Sequence, residues 1–290
     1  MTRYDISRSQ LAELLEGEPK YRLDQIWHGI HGQFREPEDL TNVPKELRSA
    51  IRDLLPAALT PIRNISSDGE TTVKQLWQLH DGHLVESVLM HYKDRSTVCI
   101  SSQAGCAMAC SFCATGQMGF DRHLSTGEIV EQVVRAVQQS QTKRVSNVVF
   151  MGMGEPLANF DNVWPAVRRI NSDLGIGARK ITVSTVGVVP GIQRLSLETL
   201  PVNLAVSLHA ANDKLRNQIA PINRTYPLRK LAESLQAYRR AKNRRVSLEW
   251  AMIDSLNDSQ GAAQELAAFA RPLGAHINLI PLNPTPGFEG

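Results

Sequence analysis

The sequence predicts an α/β fold: a parallel sheet with covered faces, preceded by a small helical segment and a β-hairpin. Six near-continuous apolar runs carry the prediction, at 97–101, 147–151, 180–184, 203–207, 245–253 and 276–280. Strands buried on both faces read this way, and strands that alternate with helices pair in parallel. The second observation is what lies between the runs. Ser125-Thr126-Gly127-Glu128 is a capping-box signature, and Ile129, Val130, Val133, Val134 and Val137 after it share one helical face. Further helices are predicted over about 161–173, 228–242 and 258–271.

Ahead of this alternation, Leu11, Leu14 and Leu15 recur at helical spacing, as do Leu47, Ala50, Ile51, Leu54 and Leu55. Gly17, Pro19, Gly29, Gly32, Pro37 and Pro44 break the segment into short helices. Tyr21, Arg22, Gln25, Trp27 and His28 are residue types that can stack on and bond to RNA bases, although Trp27 and Leu23 equally suit a small core. Next, Val73 to His80 and His83 to Tyr92 alternate apolar and polar around Asp81-Gly82, a hairpin turn signal. The expected division is a helical domain at 1–60, a hairpin linker at 61–92 and the α/β core at 93–290.

A chain of 290 residues with 42% hydrophobic and 21% charged residues has the composition of a globular protein with a sizeable core. No apolar run approaches about 18 residues and the first residues are polar, so no membrane partner and a cytoplasmic location are expected. Four cysteines fall within the fifteen residues 99–113, which suits a metal in a reducing compartment better than a disulfide framework. The net charge of +3 does not mark a nucleic-acid binder. Arg239, Arg240, Lys242, Arg244 and Arg245 cluster, but such a run also reads as a solvated helix end.

The chemistry is concentrated after the first strand. Cys106, Cys110 and Cys113 stand at the spacing C-x3-C-x2-C in a loop of small residues. Such a loop can wrap a four-iron cluster, and three thiolates leave one iron free to chelate the amino and carboxylate groups of S-adenosylmethionine. A structural zinc site with Cys99 as fourth ligand, and buried free thiols, are the alternatives.

Polar residues recur at the ends of the following strands. Met151-Gly152-Met153-Gly154-Glu155-Pro156 offers glycines for close backbone approach and a carboxylate that can pair with an ammonium group. Ser184 ends the third strand, and Ser207-Leu208-His209 ends the fourth; their hydroxyl and backbone groups can bond a ribose or a carboxylate. Asn283 follows the sixth, between Pro281 and Pro284, with an amide suited to an adenine edge.

The run from Cys99 to Phe120 resembles the radical S-adenosylmethionine superfamily. With the strand-end residues, the chain resembles one branch over nearly its whole length: the bacterial dual-specificity RNA methyltransferases that methylate C2 of adenine in 23S rRNA and some tRNAs. The resemblance implies an incomplete (β/α)6 radical SAM barrel with its chemistry at the C-terminal strand ends. It implies Cys106, Cys110 and Cys113 as ligands of a [4Fe-4S] cluster, and Gly154 and Glu155 at the amino group of S-adenosylmethionine. Ser184, Ser207, Leu208, His209 and Asn283 would be further cofactor contacts. Glu86 would be a proton acceptor, and Cys99 the cysteine that helps resolve a covalent RNA adduct by removing the C2 proton. Residues 1–60 would help engage RNA. The implied partners are 23S rRNA, tRNA and an electron donor such as flavodoxin, with the protein itself a monomer.

In the resembled family a further cysteine near the C-terminus carries the methyl group as a methyl-cysteine intermediate. Here the cysteines are Cys99, Cys106, Cys110 and Cys113, with none after them. The expectation is a C-terminally shortened chain, ending in a loop, that holds the cluster but does not complete methyl transfer. The alternatives are a C8-specific radical methyltransferase of rRNA adenine, which would share nearly every motif, and a non-catalytic iron-sulfur RNA-binding protein.

Overall fold

The computed structural model describes residues 1–140, 144–283, 285 and 287–288. In chain order the regular elements begin with α1 (Arg8–Leu14), α2 (Tyr21–Trp27), α3 (Lys45–Leu54), β1 (Thr60–Ser67), β2 (Thr72–Gln78), β3 (Leu84–His91) and β4 (Ser96–Cys99). There follow β5 (Gln103–Gly105), α4 (Ala114–Met118), β6 (Phe120–His123), α5 (Thr126–Gln139), β7 (Val145–Phe150) and α6 (Phe160–Ser172). The last are β8 (Ile181–Thr185), α7 (Val189–Leu197), β9 (Asn203–Ser207), α8 (Asp213–Ile219), α9 (Leu228–Lys242), β10 (Ser247–Met252), α10 (Gln260–Leu273) and β11 (His276–Pro281). The six predicted apolar runs are β4, β7, β8, β9, β10 and β11, and helices lie between them along the chain.

These elements form two compact units, neither of them contiguous in sequence. The first takes residues 1–100, 124–148 and 161–177. Its strands lie in the order β1-β2-β3-β4-β7, and β1, β2, β3 and β4 pair antiparallel in turn. The turn at Asp81-Gly82 sets Gln78 opposite Leu84, with Gly82 at φ +87°. The alternation buries Trp77, Val85 and Leu89, and Trp77 Nε1 donates to Ser87 Oγ at 2.9 Å. Every side chain of β1 is exposed, so no apolar alternation announced that strand. α5 forms as its sequence demands: Ser125 Oγ accepts the Glu128 N–H, Glu128 reaches back to the Ser125 N–H, and Ile129, Val130, Val133 and Val134 are buried.

The second unit takes residues 101–123, 149–160 and 178–290. Its strands β8-β9-β10-β11 run parallel in sequence order, with Ser184 opposite Ala205 and Ser247 opposite both Ala205 and His276. Crossing helices permit that order, since parallel neighbours need long connections. α9 stops at Asn243 and α10 at Gly274, each in the left-handed region that ends helices. The hairpin of β5 and β6 pairs Gln103 with His123 and brackets the cysteine loop.

Candidate active site

The hairpin shapes the cysteine loop from below. Gly105 has φ +72°, and a Cβ there would stand 2.1 Å from the Gly119 carbonyl oxygen, so the hairpin closes only around glycine. Beyond it the Cys106 N–H donates to Gly119 O at 2.6 Å, and the Cys113 N–H donates to Cys110 O at 3.1 Å. Cys113 caps α4. The Ser111 N–H donates to Ile219 O at 3.1 Å, which ties the loop to the end of α8. Cys110 packs with Val186, Ala210, Ile219 and Ala220.

All three loop cysteines line one cavity of about 250 Å³, just below the size range of small-molecule sites, roughly 300–1,000 Å³. Gly154, Glu155, Ser184, Ser207 and His209 line it as well. The cavity thus lies at the C-terminal ends of β8 and β9 and over the segment that follows β7. Burial pushes the Cys110 thiol up to about 12, and raises Cys106 too, the neighbouring sulfurs adding to the effect.

Gly154 has φ +97°, and a Cβ there would come within 2.5 Å of the Gln103 side chain. Gln103 in turn accepts the Glu155 N–H at 2.8 Å, fixing the turn that aims Glu155. The Glu155 carboxylate is 3% exposed and accepts the N–H groups of Leu157 and Val186 at 3.0 and 2.8 Å. Burial raises its pKa to about 7 against the pull of these hydrogen bonds.

His209 has φ +57°, a strained value for a residue with a side chain. Its Nδ1 accepts the Ala251 N–H at 2.9 Å, and Phe112 meets its ring edge-on at a centroid distance of 4.6 Å. The proton of the neutral ring therefore sits on Nε2, leaving a donor for a ligand. Burial first, and the Arg216 charge second, lower its pKa to about 3. Ser184 Oγ donates to Phe150 O.

Not every predicted residue joins this cavity. Leu208 is fully buried and does not line it; its N–H donates to Glu249 O at 3.0 Å. Asn283 is exposed, two residues beyond β11, and is not among the lining residues. Pro284, expected to hold it, lies outside the described residues, as do Glu289 and Gly290 of the expected terminal loop. Glu86 and Cys99 belong to the first unit. Glu86 is half-buried on β3 and pairs with Lys74 of β2 at 2.7 Å; Cys99 ends β4 opposite Val88.

Glu249 and Phe112 are among the lining residues that sequence pattern did not single out. Glu249 of β10 lines the cavity and accepts from Ser247 Oγ at 2.6 Å and Asn278 Nδ2 at 2.7 Å. A carboxylate within an apolar strand was the available signal. Phe112 lies between two loop cysteines.

Among the described residues no three His, Cys, Asp or Glu side chains are grouped as the ligands of a lone metal ion. A cubane takes thiolates held apart, each on its own iron, and soft sulfur donors are the ones it selects. Three cysteines around one cavity fit such a group. Among the described residues no helix is long and apolar enough to cross a membrane.

Known proteins resemble this chain in sequence and fold. Residues 100–266 match the family model of the Radical SAM superfamily. A "Probable dual-specificity RNA methyltransferase RlmN" of Corynebacterium glutamicum is 49% identical over 282 residues, covering 93% of this chain and 77% of its own. Its namesake in Salinispora tropica is 48% identical over 297 residues, covering 98% and 80%. The crystal structure of a radical SAM methyltransferase from Sphaerobacter thermophilus superposes with a TM-score of 0.95 at 46% identity, covering 99% of this chain and 86% of that one. By the extent of these matches, the chain belongs to the radical SAM superfamily and, within it, to the family of dual-specificity RNA methyltransferases.

Proposed function

We propose that this cavity serves the methylation of adenine at C2 in 23S rRNA and tRNA. The observation that carries the reading is the convergence of Cys106, Cys110 and Cys113 with Gly154, Glu155, Ser184, Ser207 and His209 on one cavity. A [4Fe-4S] cluster held by the three cysteines would supply the electron that cleaves S-adenosylmethionine, opening radical chemistry at a carbon too weakly acidic and nucleophilic for direct methyl transfer. Glu155, ionised, would pair with the amino group of that cofactor. Gly154 leaves room for its close approach, and the Ser184 and Ser207 hydroxyls with His209 Nε2–H would orient its polar groups. Glu86 and Cys99 are assigned to proton removal from the RNA.

The test is anaerobic reconstitution with iron and sulfide, then incubation with S-adenosylmethionine, dithionite and rRNA or tRNA fragments. The expected result is about four irons per chain and release of 5′-deoxyadenosine. Methylation of the RNA at C8 would refute the assigned position. RNA binding without 5′-deoxyadenosine would favour a non-catalytic role.

A further inference from the structure

Arg216 has no exposed surface. From α8 its Nε donates to Leu208 O at 3.1 Å and its Nη1 to Asn223 Oδ1 at 2.9 Å; Nη2 donates to Val186 O and, at 3.4 Å, to Ser207 O. Three of the four acceptors are backbone carbonyls just at or beyond the ends of β8 and β9, beside Ser207 and His209 of the cavity. A guanidinium suits this task because its donors lie in a fixed planar fork.

The charge on that fork is the unexplained part. Taking a cation wholly out of water costs several kcal/mol unless a counter-charge meets it. No carboxylate among the described residues bonds Arg216 directly. Asp213 reaches it only through Asn223, whose Nδ2 donates to Asp213 Oδ1 at 2.8 Å. Burial lowers the Arg216 pKa to about 10, so it is a cation at neutral pH, and the Cys110 sulfur, when ionised, acts on it more strongly than the Asp213 carboxylate does. α8 also touches the cysteine loop through the Ser111–Ile219 hydrogen bond.

We propose that Arg216 is a positioning residue that locks the ends of β8 and β9 against the cysteine loop and supplies the buried positive charge favouring the reduced state of the thiolate-ligated cluster. The proposal rests on the reading that Cys106, Cys110 and Cys113 hold that cluster. Reduction adds one electron from a low-potential donor, dithionite in the test, and moves no bond or proton. The reduced state is more negative by one charge, so a fixed neighbouring cation stabilises it.

The test compares wild-type protein with Arg216→Gln and Arg216→Lys, each reconstituted anaerobically. Iron content, urea unfolding and the midpoint potential from EPR-monitored titration are measured. Arg216→Gln keeps donors but no charge, and the expected result is a more negative potential, lowering the reduced-to-oxidised ratio at a fixed poise about tenfold, or about 59 mV for one electron. Arg216→Lys keeps the charge and is expected within about twofold of the wild-type ratio, with a lower urea midpoint. A loaded, folded Gln variant at the wild-type potential overturns the charge assignment. Should the Gln variant not fold, the Lys variant keeps the assignment open to refutation: a tenfold change there, with the charge retained, overturns it. Wild-type protein that takes up no iron overturns the cluster reading instead.

Discussion

Glu155 Oε2 accepts the Val186 N–H at 2.8 Å, so a buried carboxylate joins the segment after β7 to the end of β8. Burial lifts its pKa from the ordinary 4.5 to about 7. The folded chain therefore holds this proton more tightly than the unfolded chain does. Between pH 4.5 and 7 the folded state is the more protonated, and stability falls as pH rises through that window. Relative to Glu155→Gln, wild-type protein is expected to lose about 3 kcal/mol between pH 4.5 and 8. Urea unfolding of both at pH 4.5, 6 and 8 measures it, and a pH-independent difference would contradict the assignment. An ammonium-bearing ligand prefers the ionised form. Binding of S-adenosylmethionine should accordingly weaken about tenfold per pH unit below 7 in wild-type protein and stay level in the Gln variant.

His209 offers a spectroscopic check of the same cavity. With Nδ1 accepting from Ala251 and the pKa held near 3, the ring is expected to stay neutral, protonated at Nε2, from pH 5 to 8. Nitrogen NMR of labelled protein should show His209, identified by its loss in His209→Asn, with an unprotonated Nδ1 and no titration in that range; buried His31 also has its pKa lowered to about 3. A midpoint near 6.5 would mean the ring is solvated. Its lowered pKa adds stability that is present above about 6.5 and is lost as pH falls towards 3.

The thiols set how a cluster enters. Cys110 is protonated at neutral pH in the metal-free chain, its pKa being near 12, yet a ligand must be a thiolate. Reconstitution should release protons and run faster as pH rises from 7 to 9. Cys110→Ala should lower the bound iron from about four per chain to below one, while Cys99→Ala leaves it near four. Iron and sulfide assays with the visible spectrum decide between these. Equal loss in both variants would draw Cys99 into the ligand set.

The strands and the cysteine loop were legible because each rests on local pattern. Val148, Val183, Leu204 and Leu248 are buried within apolar runs, and no ordinary turn places three thiols as residues 106–113 do. β1 was not legible, since its exposed side chains carry no alternation, nor was α7, whose first turn holds Pro190 and Gly191. Gly191 is there for packing: a Cβ would come within 2.5 Å of Leu157. Leu208 is buried and Asn283 exposed, and neither side chain lines the cavity, so position at a strand end fixes where the backbone arrives and leaves open which way a side chain turns. Arg216 left no mark in the sequence because its partners are backbone carbonyls of two separate stretches, at Val186 and at Ser207 and Leu208, and the side chain of Asn223.

The first unit depends on a buried charge pair that no motif announces. Glu131 is fully buried; it accepts the Ala58 N–H at 2.7 Å, and Arg135 Nε and Nη2 at 3.1 and 2.9 Å. Arg135 Nη1 also donates to Glu36 at 2.7 Å, and Glu36 accepts from Arg3. Burial pushes the Glu131 carboxyl up although Arg135 and Ala58 pull it down. Removing Arg135 takes away the larger of those two opposing pulls. Arg135→Met is expected to cost about 3–5 kcal/mol, because the carboxylate keeps only a backbone donor. Glu131→Gln with Arg135→Met removes both charges while the amide oxygen still accepts from Ala58, and should recover at least half of that loss. Chemical denaturation of the two variants and wild type at pH 7 measures the difference. If the double variant is no more stable than Arg135→Met alone, the loss comes from the Glu36 and packing contacts of Arg135, and the unpaired carboxylate is not its cause.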